Sequence, residues 1–468
     1  MKKLLVTAMC AVAFAGCVAK DAGYGDVRSL TAERIGKDVR WRAHESAAKG
    51  EDVTRSLLSR PLTADSAVQI GLLNSARVQA AFSELGLARA ELVRALAIPN
   101  PTAEVAVRFR DGERPDIEIS AFEDLMGLVL LPTRQGAARA SLDAAKLETA
   151  GRILDEALSI RLAFYDYQAS AQTLALRQTI LQAVRASFDA ARSMHEAGNV
   201  TDLSLANERA LYEEARVEFS RAEANERALR EQLNDRMGLF TLGSTWTVEP
   251  RLTDAAPATP ILAELEQRAL EKSLDLKAAR ARYAAAAGRA NYARARGVLP
   301  VLRAGVSAER AEGSSFAVGP AAVVGVPLFY QGQGDIDAAT AQMQEQRQLY
   351  DSQALRIRTV ARSLSARLES AAASADYYKR VLLPLRSEIV QNTELEYNAM
   401  SVGIFQLLQS KRDQIRAAES YVDMLREYWT LRSQAEQLRA GRLPQSAVVD
   451  TPSNVAAMPA AESGGAGH

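Results

Sequence analysis

The sequence predicts a mainly α-helical chain with a small β part, built as two internal repeats of long antiparallel helical hairpins. Three observations predict it. Ala, Arg, Glu, Leu and Gln dominate long stretches while aromatics make up only 6%, a composition that favours extended helix. Residues 135–196 contain no proline, which is roughly 90 Å of helix at 1.5 Å per residue. The order helix, strand pair, long helix, turn, long helix then occurs twice between residues 62 and 440.

In the first copy, Thr63 and Asp65 start a helix that runs to about Ile98 and stops at Pro99-Asn100-Pro101. Residues 103–110 and 116–131 are strand candidates around a turn-rich Asp-Gly-Glu-Arg-Pro. In the first of them Ala103, Val105, Val107 and Phe109 alternate with Glu104, Ala106, Arg108 and Arg110. The long helix from Gln135 to about Glu196 carries an apolar stripe from Leu154 to Met194, eleven steps over 40 residues. That spacing of about 3.6 gives an almost straight seam. Ala197-Gly198-Asn199-Val200 turns the chain, Thr201 and Asp202 cap the next helix, and that helix returns to about Gly238.

The second copy follows a linker at Pro257-Ala258-Thr259-Pro260. A helix over 261–297 ends at Gly297-Val298-Leu299-Pro300, and strand candidates cover 301–309 and 316–329. Leu302, Ala304, Val306 and Ala308 alternate with Arg303, Gly305, Ser307 and Glu309. A long helix from about Asp335 reaches Met400 with Pro384 as a kink, turns at Ser401-Val402-Gly403 and returns to about Ala440. Gly198 and Gly403 are both expected in the left-handed conformation that reverses a helix, with Leu203 and Leu408 five residues on. Pro101 to Pro300 is 199 residues and Gly198 to Gly403 is 205. The organisation is then 1–16 signal peptide, 17–61 lipidated polar and irregular segment, 62–256 and 257–440 the two repeats, and 441–468 a disordered tail.

The residues also close off chemistry. Lys+Arg and Asp+Glu both number 57, so no basic excess points to nucleic acid. Cys10 and Cys17 are the only cysteines, and His44, His195 and His468 are scattered singly, which leaves no disulfide framework or metal motif. Gly332-Gln333-Gly334 lacks the Gly-Lys-Ser/Thr of a phosphate loop and reads as a strand-to-helix turn, with Asp335 and Asp337 as first-turn acids. No enzyme, cofactor or nucleic-acid partner is expected.

Met1-Lys2-Lys3 followed by apolar Leu4 to Ala15 is a secretory n-region and h-region. Phe14-Ala15-Gly16-Cys17 resembles a bacterial lipobox that makes Cys17 the lipidated first residue, while Ala13-Phe14-Ala15 offers the alternative cleavage. Val18 then implies outer-membrane delivery. No later segment has 18 consecutive apolar residues, so a membrane span would need strands in a closed barrel. Four strands are too few, and three chains would supply twelve. Alternation then assigns Glu104, Arg108, Arg303 and Glu309 to the barrel lumen.

Four motifs, in order and duplicated, carry a family resemblance. They are Asn100-Pro101, Pro327-Leu328-Phe329 before Gly332-Gln333-Gly334, Gly198-Asn199-Val200-Thr201-Asp202-Leu203, and Gly403-Ile404-Phe405-Gln406-Leu407-Leu408-Gln409-Ser410-Lys411-Arg412. Over about residues 60–440 the chain resembles the TolC family of outer-membrane efflux proteins, in its lipoprotein (NodT-like) branch. The resemblance implies a homotrimer in the outer membrane of a Gram-negative bacterium, with a twelve-stranded β-barrel over an α-barrel tunnel. It implies the passive exit duct of a tripartite efflux system for small toxic compounds or ions, joined to a periplasmic membrane-fusion adaptor and through it to an inner-membrane pump. The adaptor-docking tip would comprise Gly198, Asn199, Val200, Thr201, Asp202, Leu203, Val402, Gly403, Ile404, Phe405 and Leu408. Family members often narrow the tunnel with aspartates; here Ser204, Gln409 and Arg412 stand at the corresponding depth, with Asp202 and Asp413 nearby. A protein-secretion duct and a lipid-anchored periplasmic coiled-coil scaffold are the alternatives, and the scaffold leaves the alternating strand pairs unexplained.

Overall fold

A computed structural model describes residues 21, 23–42, 47–109, 115–239, 246–256, 262, 264–298, 301–310 and 315–445. The expected signal peptide, Cys17, His44, His468, the linker over 257–260 and the tail from 446 lie outside the described residues. Before the first repeat, residues 24–35 (α1) and 47–58 (α2) are helical where an irregular segment is expected. The reason is packing: Tyr24, Val27 and Thr31 fall on one face at helical spacing and are buried. Tyr24 meets Phe82 edge-on with ring centroids 5.1 Å apart, and Trp41 stacks on the same ring at 5.7 Å.

The helix expected from Thr63 to Ile98 is two helices, α3 (64–74) and α4 (76–96). Thr63 makes a capping box with Ser66. Ser75 breaks the run: its hydroxyl accepts from the Arg77 N–H at 3.2 Å and starts the second helix, as N-cap serines do. Strands β1 (102–108) and β2 (116–124) follow. The expected second strand stops at Asp124, because that side chain accepts from the Gly127 N–H and opens the short helix α5 (125–129). Helix α6 (131–196) is unbroken over 66 residues, about 100 Å, and α7 (202–237) runs back along it.

The second copy has α8 (265–272) and α9 (274–298), again divided at a serine, Ser273, which caps α9 through the Leu276 N–H at 3.0 Å. Strands β3 (302–310) and β4 (317–324) precede α10 (333–377), a π-helical turn (378–382), α11 (383–398) and α12 (404–439). The expected strand to Phe329 therefore ends at Val324. Pro384 sits in the first turn of α11, and the carbonyl four residues back that its ring would meet, that of Arg380, lies inside the π turn. Lys379 of that turn reaches Asp254 at 2.6 Å, and the Tyr421 hydroxyl donates to the same carboxylate at 2.8 Å. These hydrogen bonds hold the Asp254 carboxyl below its ordinary range.

Strands pair antiparallel in the order β1-β2-β3-β4. Both repeats meet at a waist between the sheet and the helical tips. There α6 packs against α1, α3, α4, α9 and α12, and Ile70, Phe82, Ile153, Leu154 and Ile160 are fully buried. Each such side chain contributes about 1.5–3 kcal/mol. Past the expected tail boundary at 441 the chain is still packed. Arg442 bridges Asp155 of α6 at 2.6 Å and also pairs with Asp275 of α9, while Leu443 is buried. Burial pulls the Arg442 pKa down, but the Asp155 hydrogen bond and the two carboxylates outweigh it, so the guanidinium stays charged. Among the described residues no helix is long and apolar enough to cross a membrane.

Candidate functional site

Two surfaces follow from this architecture: the faces of the sheet, and the tips of the hairpins. The register puts Ala103, Val105, Val107, Ile117, Ile119, Ala121, Val306, Ala308 and Val318 on one face. Glu104, Arg108, Glu118, Ser120, Arg303, Ser307 and Glu309 share the other. On that polar face Arg108 bonds Glu118 at 3.0 Å and Arg303 stands 3.6 Å from Glu104. Glu309 is paired across the strands with Glu118. The apolar face is open in the single chain, with Val105 66% and Val318 72% exposed. The outer edges of β1 and β4 have no strand partner within the sheet.

At the first tip the last turn of α6 closes with the Asn199 N–H donating to the Met194 carbonyl at 2.9 Å, and Gly198 at φ +77° takes the left-handed position. Thr201 caps α7 through the Ser204 N–H at 3.3 Å, and the two hydroxyls are 3.0 Å apart. His195, expected as a lone surface histidine, lies 2.6 Å from the Asp202 carboxylate across the turn. Asn199, Asp202 and Leu203 are exposed and Val200 is half-buried.

The second tip corrects an expectation. Gly403 has φ −82° and ψ 160°, an extended N-cap conformation for α12. Met400 at φ +58° makes the left-handed reversal, with the Ser401 N–H donating to the Glu396 carbonyl at 2.9 Å. Met400 is thus the counterpart of Gly198, and Gly403 that of Thr201. Asp202 and Ile404 open the return helices 202 positions apart, and the same spacing separates Leu131 from Gln333 at the starts of α6 and α10. Before the sheet the spacing is 198, from Ser75 to Ser273. The 205-residue pairing of the two glycines therefore misregisters the repeats.

That register also separates the expected constriction residues. Ser204 corresponds to Gln406, so it does not share a depth with Gln409, and its backbone N–H belongs to the Thr201 cap. Gln409 and Arg412 do stand together on α12: the Arg412 guanidinium donates to Gln409 Oε1 at 2.7 Å, and Gln409 Nε2 donates to Asp413 at 3.0 Å. Val402, Ile404, Phe405 and Leu408 are half-buried beside them. Sequence reasoning missed Met400 because methionine carries no turn signal. It missed the His195–Asp202 contact because the two residues belong to different helices.

Two outgoing helical arms of about 100 Å, each with a return helix of 36 residues, under a four-stranded antiparallel sheet make up a fold that solved outer-membrane channels share. The chain is similar to the outer-membrane channel CmeC of Campylobacter jejuni, at TM-score 0.63 and 14% identity, covering 82% of this chain and 86% of that one. It is similar to the outer membrane protein VceC of Vibrio cholerae, at TM-score 0.61 and 15% identity, covering 86% and 98%. The open-state MtrE outer membrane channel of Neisseria gonorrhoeae matches at TM-score 0.62 and 15% identity, covering 81% and 90%. At this level of identity the likeness establishes the TolC-type fold. No family model matches the chain, and no curated protein matches it.

Proposed function

We propose that three copies of this chain close a twelve-stranded barrel in the outer membrane and form the exit duct of a tripartite efflux system. The observation that carries this reading is the sheet. It has one face that is apolar apart from Glu123 and Arg310 near its two ends and that nothing covers among the described residues, one charged face, and two unpaired edges, mounted on arms far too long for a globular core. Open edges in lipid would leave backbone groups unbonded, and closure by symmetry removes them. In this reading Glu104, Arg108, Arg303 and Glu309 line the lumen, Cys17 carries a lipid anchor, and small toxic compounds or ions leave passively. The exposed tip residues around Gly198 and Met400 face a periplasmic adaptor that links the duct to an inner-membrane pump, and Gln409 with Arg412 narrows the tunnel behind the tip.

Cysteines placed singly at Val107, Val306, Arg108 and Arg303 test it in detergent-extracted and reconstituted protein. The expected result is a trimer that conducts ions across a planar bilayer, with the two valine positions labelled by lipid-phase probes and the two arginine positions by water-soluble ones. Aqueous labelling at all four positions, or a monomer without conductance, would overturn the proposal.

A further inference from the structure

At the waist, a cavity of about 180 Å³ opens between α1, α3, α6 and α12. Its floor is apolar, with Val68, Leu154 and Leu158 among its lining, and its mouth carries three cations, Arg34, Lys37 and Arg161. The cations are not equivalent. Arg161 bonds Asp65 at 2.8 Å and also pairs with Glu436, and Lys37 lies 3.6 Å from the same Asp65. Glu436 is shared again, with Arg432 at 3.3 Å. The two carboxylates are thus spent on Lys37, Arg161 and Arg432. Arg34 is half-buried and has no counter-ion among the described residues, and its Nε and Nη1 are buried there without a hydrogen-bond partner. Gln437, 6% exposed, lines the same cavity; its Nε2 donates to Asp155, while its Oε1 has no partner among the described residues.

Two guanidinium nitrogens buried without an acceptor are unfavourable unless something accepts from them, and an anion does so best. Water satisfies the hydrogen bonds but not the charge, and the volume exceeds what one or two waters fill. We propose that this cavity binds a small organic monocarboxylate with a compact apolar body. The carboxylate would accept from Arg34 at the cationic mouth, and the apolar part would lie on Val68, Leu154 and Leu158. A bare inorganic anion would leave that floor wet; a neutral hydrocarbon would leave Arg34 unpaired. The walls come from the N-terminal helix, the first repeat and the second, so an occupied site would tie all three together at the waist.

The test uses full-length protein in detergent, with cyclohexanecarboxylate as the probe, read by calorimetric titration and by the thermal midpoint. Saturable binding with a rise in the midpoint is expected. Arg34→Met should weaken it at least about tenfold, the loss of one charge-assisted hydrogen bond. Leu158→Phe should abolish it by filling the floor with Arg34 intact. Oligomeric state and the ligand-free melt of each variant report folding, so a loss in both well-folded variants supports the site. Absence of saturable binding overturns the proposal, as does binding unchanged by Arg34→Met. Equal affinity for cyclohexylmethanol or for inorganic phosphate overturns it too, since either would remove one half of the recognition.

Discussion

The two hairpins match in length and differ in almost everything local. Helix α6 has 66 residues, and α10, the π turn and α11, at 45, 5 and 16 residues, span the same number; both return helices have 36. Yet one outgoing arm is unbroken α-helix while the other widens into a π turn ahead of a proline, and one tip reverses on a glycine while the other reverses on methionine. The 93% exposure of Met400 leaves its side chain few contacts within the chain to offset a left-handed backbone, which costs roughly 1–2 kcal/mol away from glycine. The difference teaches that the duplicated geometry fixes arm length and the place of reversal, while each copy meets the local requirement with its own residues.

The largest expected effect concerns what keeps the copies in step. Arg442→Met leaves Asp155 and Asp275 without their shared cation at the waist and should cost about 3–5 kcal/mol in chemical unfolding. A change below 1 kcal/mol would mean that the arms, not this junction, couple the repeats. Next comes the asymmetry along the arms. Gln182 is the exposed counterpart of Pro384 at the 202-residue spacing, so Gln182→Pro should cost about 3 kcal/mol and raise amide exchange through the middle of α6. If the unbroken arm absorbs the proline without loss, the π turn in the second arm has another cause. The smallest effects lie at the tips and have opposite signs. An added Cβ at Gly198 meets nothing within 4 Å, so Gly198→Ala should cost only the conformational term, about 1–2 kcal/mol, whereas Met400→Gly should gain about 0.5–1 kcal/mol. Thermal melts of the two variants give both values.

Much of this was legible in the sequence because it rests on periodicity. Alternation over Ala103 to Arg108 and Leu302 to Glu309 placed the four charged residues on one face, and the long stripe from Leu154 placed α6. The breaks at Ser75 and Ser273 were not read, although serine is a good N-cap, because the apolar pattern continues across both. The N-terminal helix carried a signal that was passed over: Tyr24, Val27 and Thr31 at spacings of three and four. Met400 had no signal of any kind. A left-handed methionine is imposed by the length of the arm around it and opposed by its own propensity. The contacts of Arg442 join residues up to 287 positions apart, beyond any local pattern.

Equal arms also constrain how such a chain can change length. One residue inserted into α6 would lift its tip by about 1.5 Å and turn it by about 100° relative to its twin. The two reversals would then stand at different heights and face different directions. A single insertion or deletion between the sheet and a tip is therefore a defect even where every new residue is a good helix former. Lengthening succeeds only when both copies take the same step, and seven residues in each, close to two full turns, would extend the pair by roughly 10 Å with both tips still nearly in phase. Two such halves are free to differ in composition, as these do, but they must keep a common length.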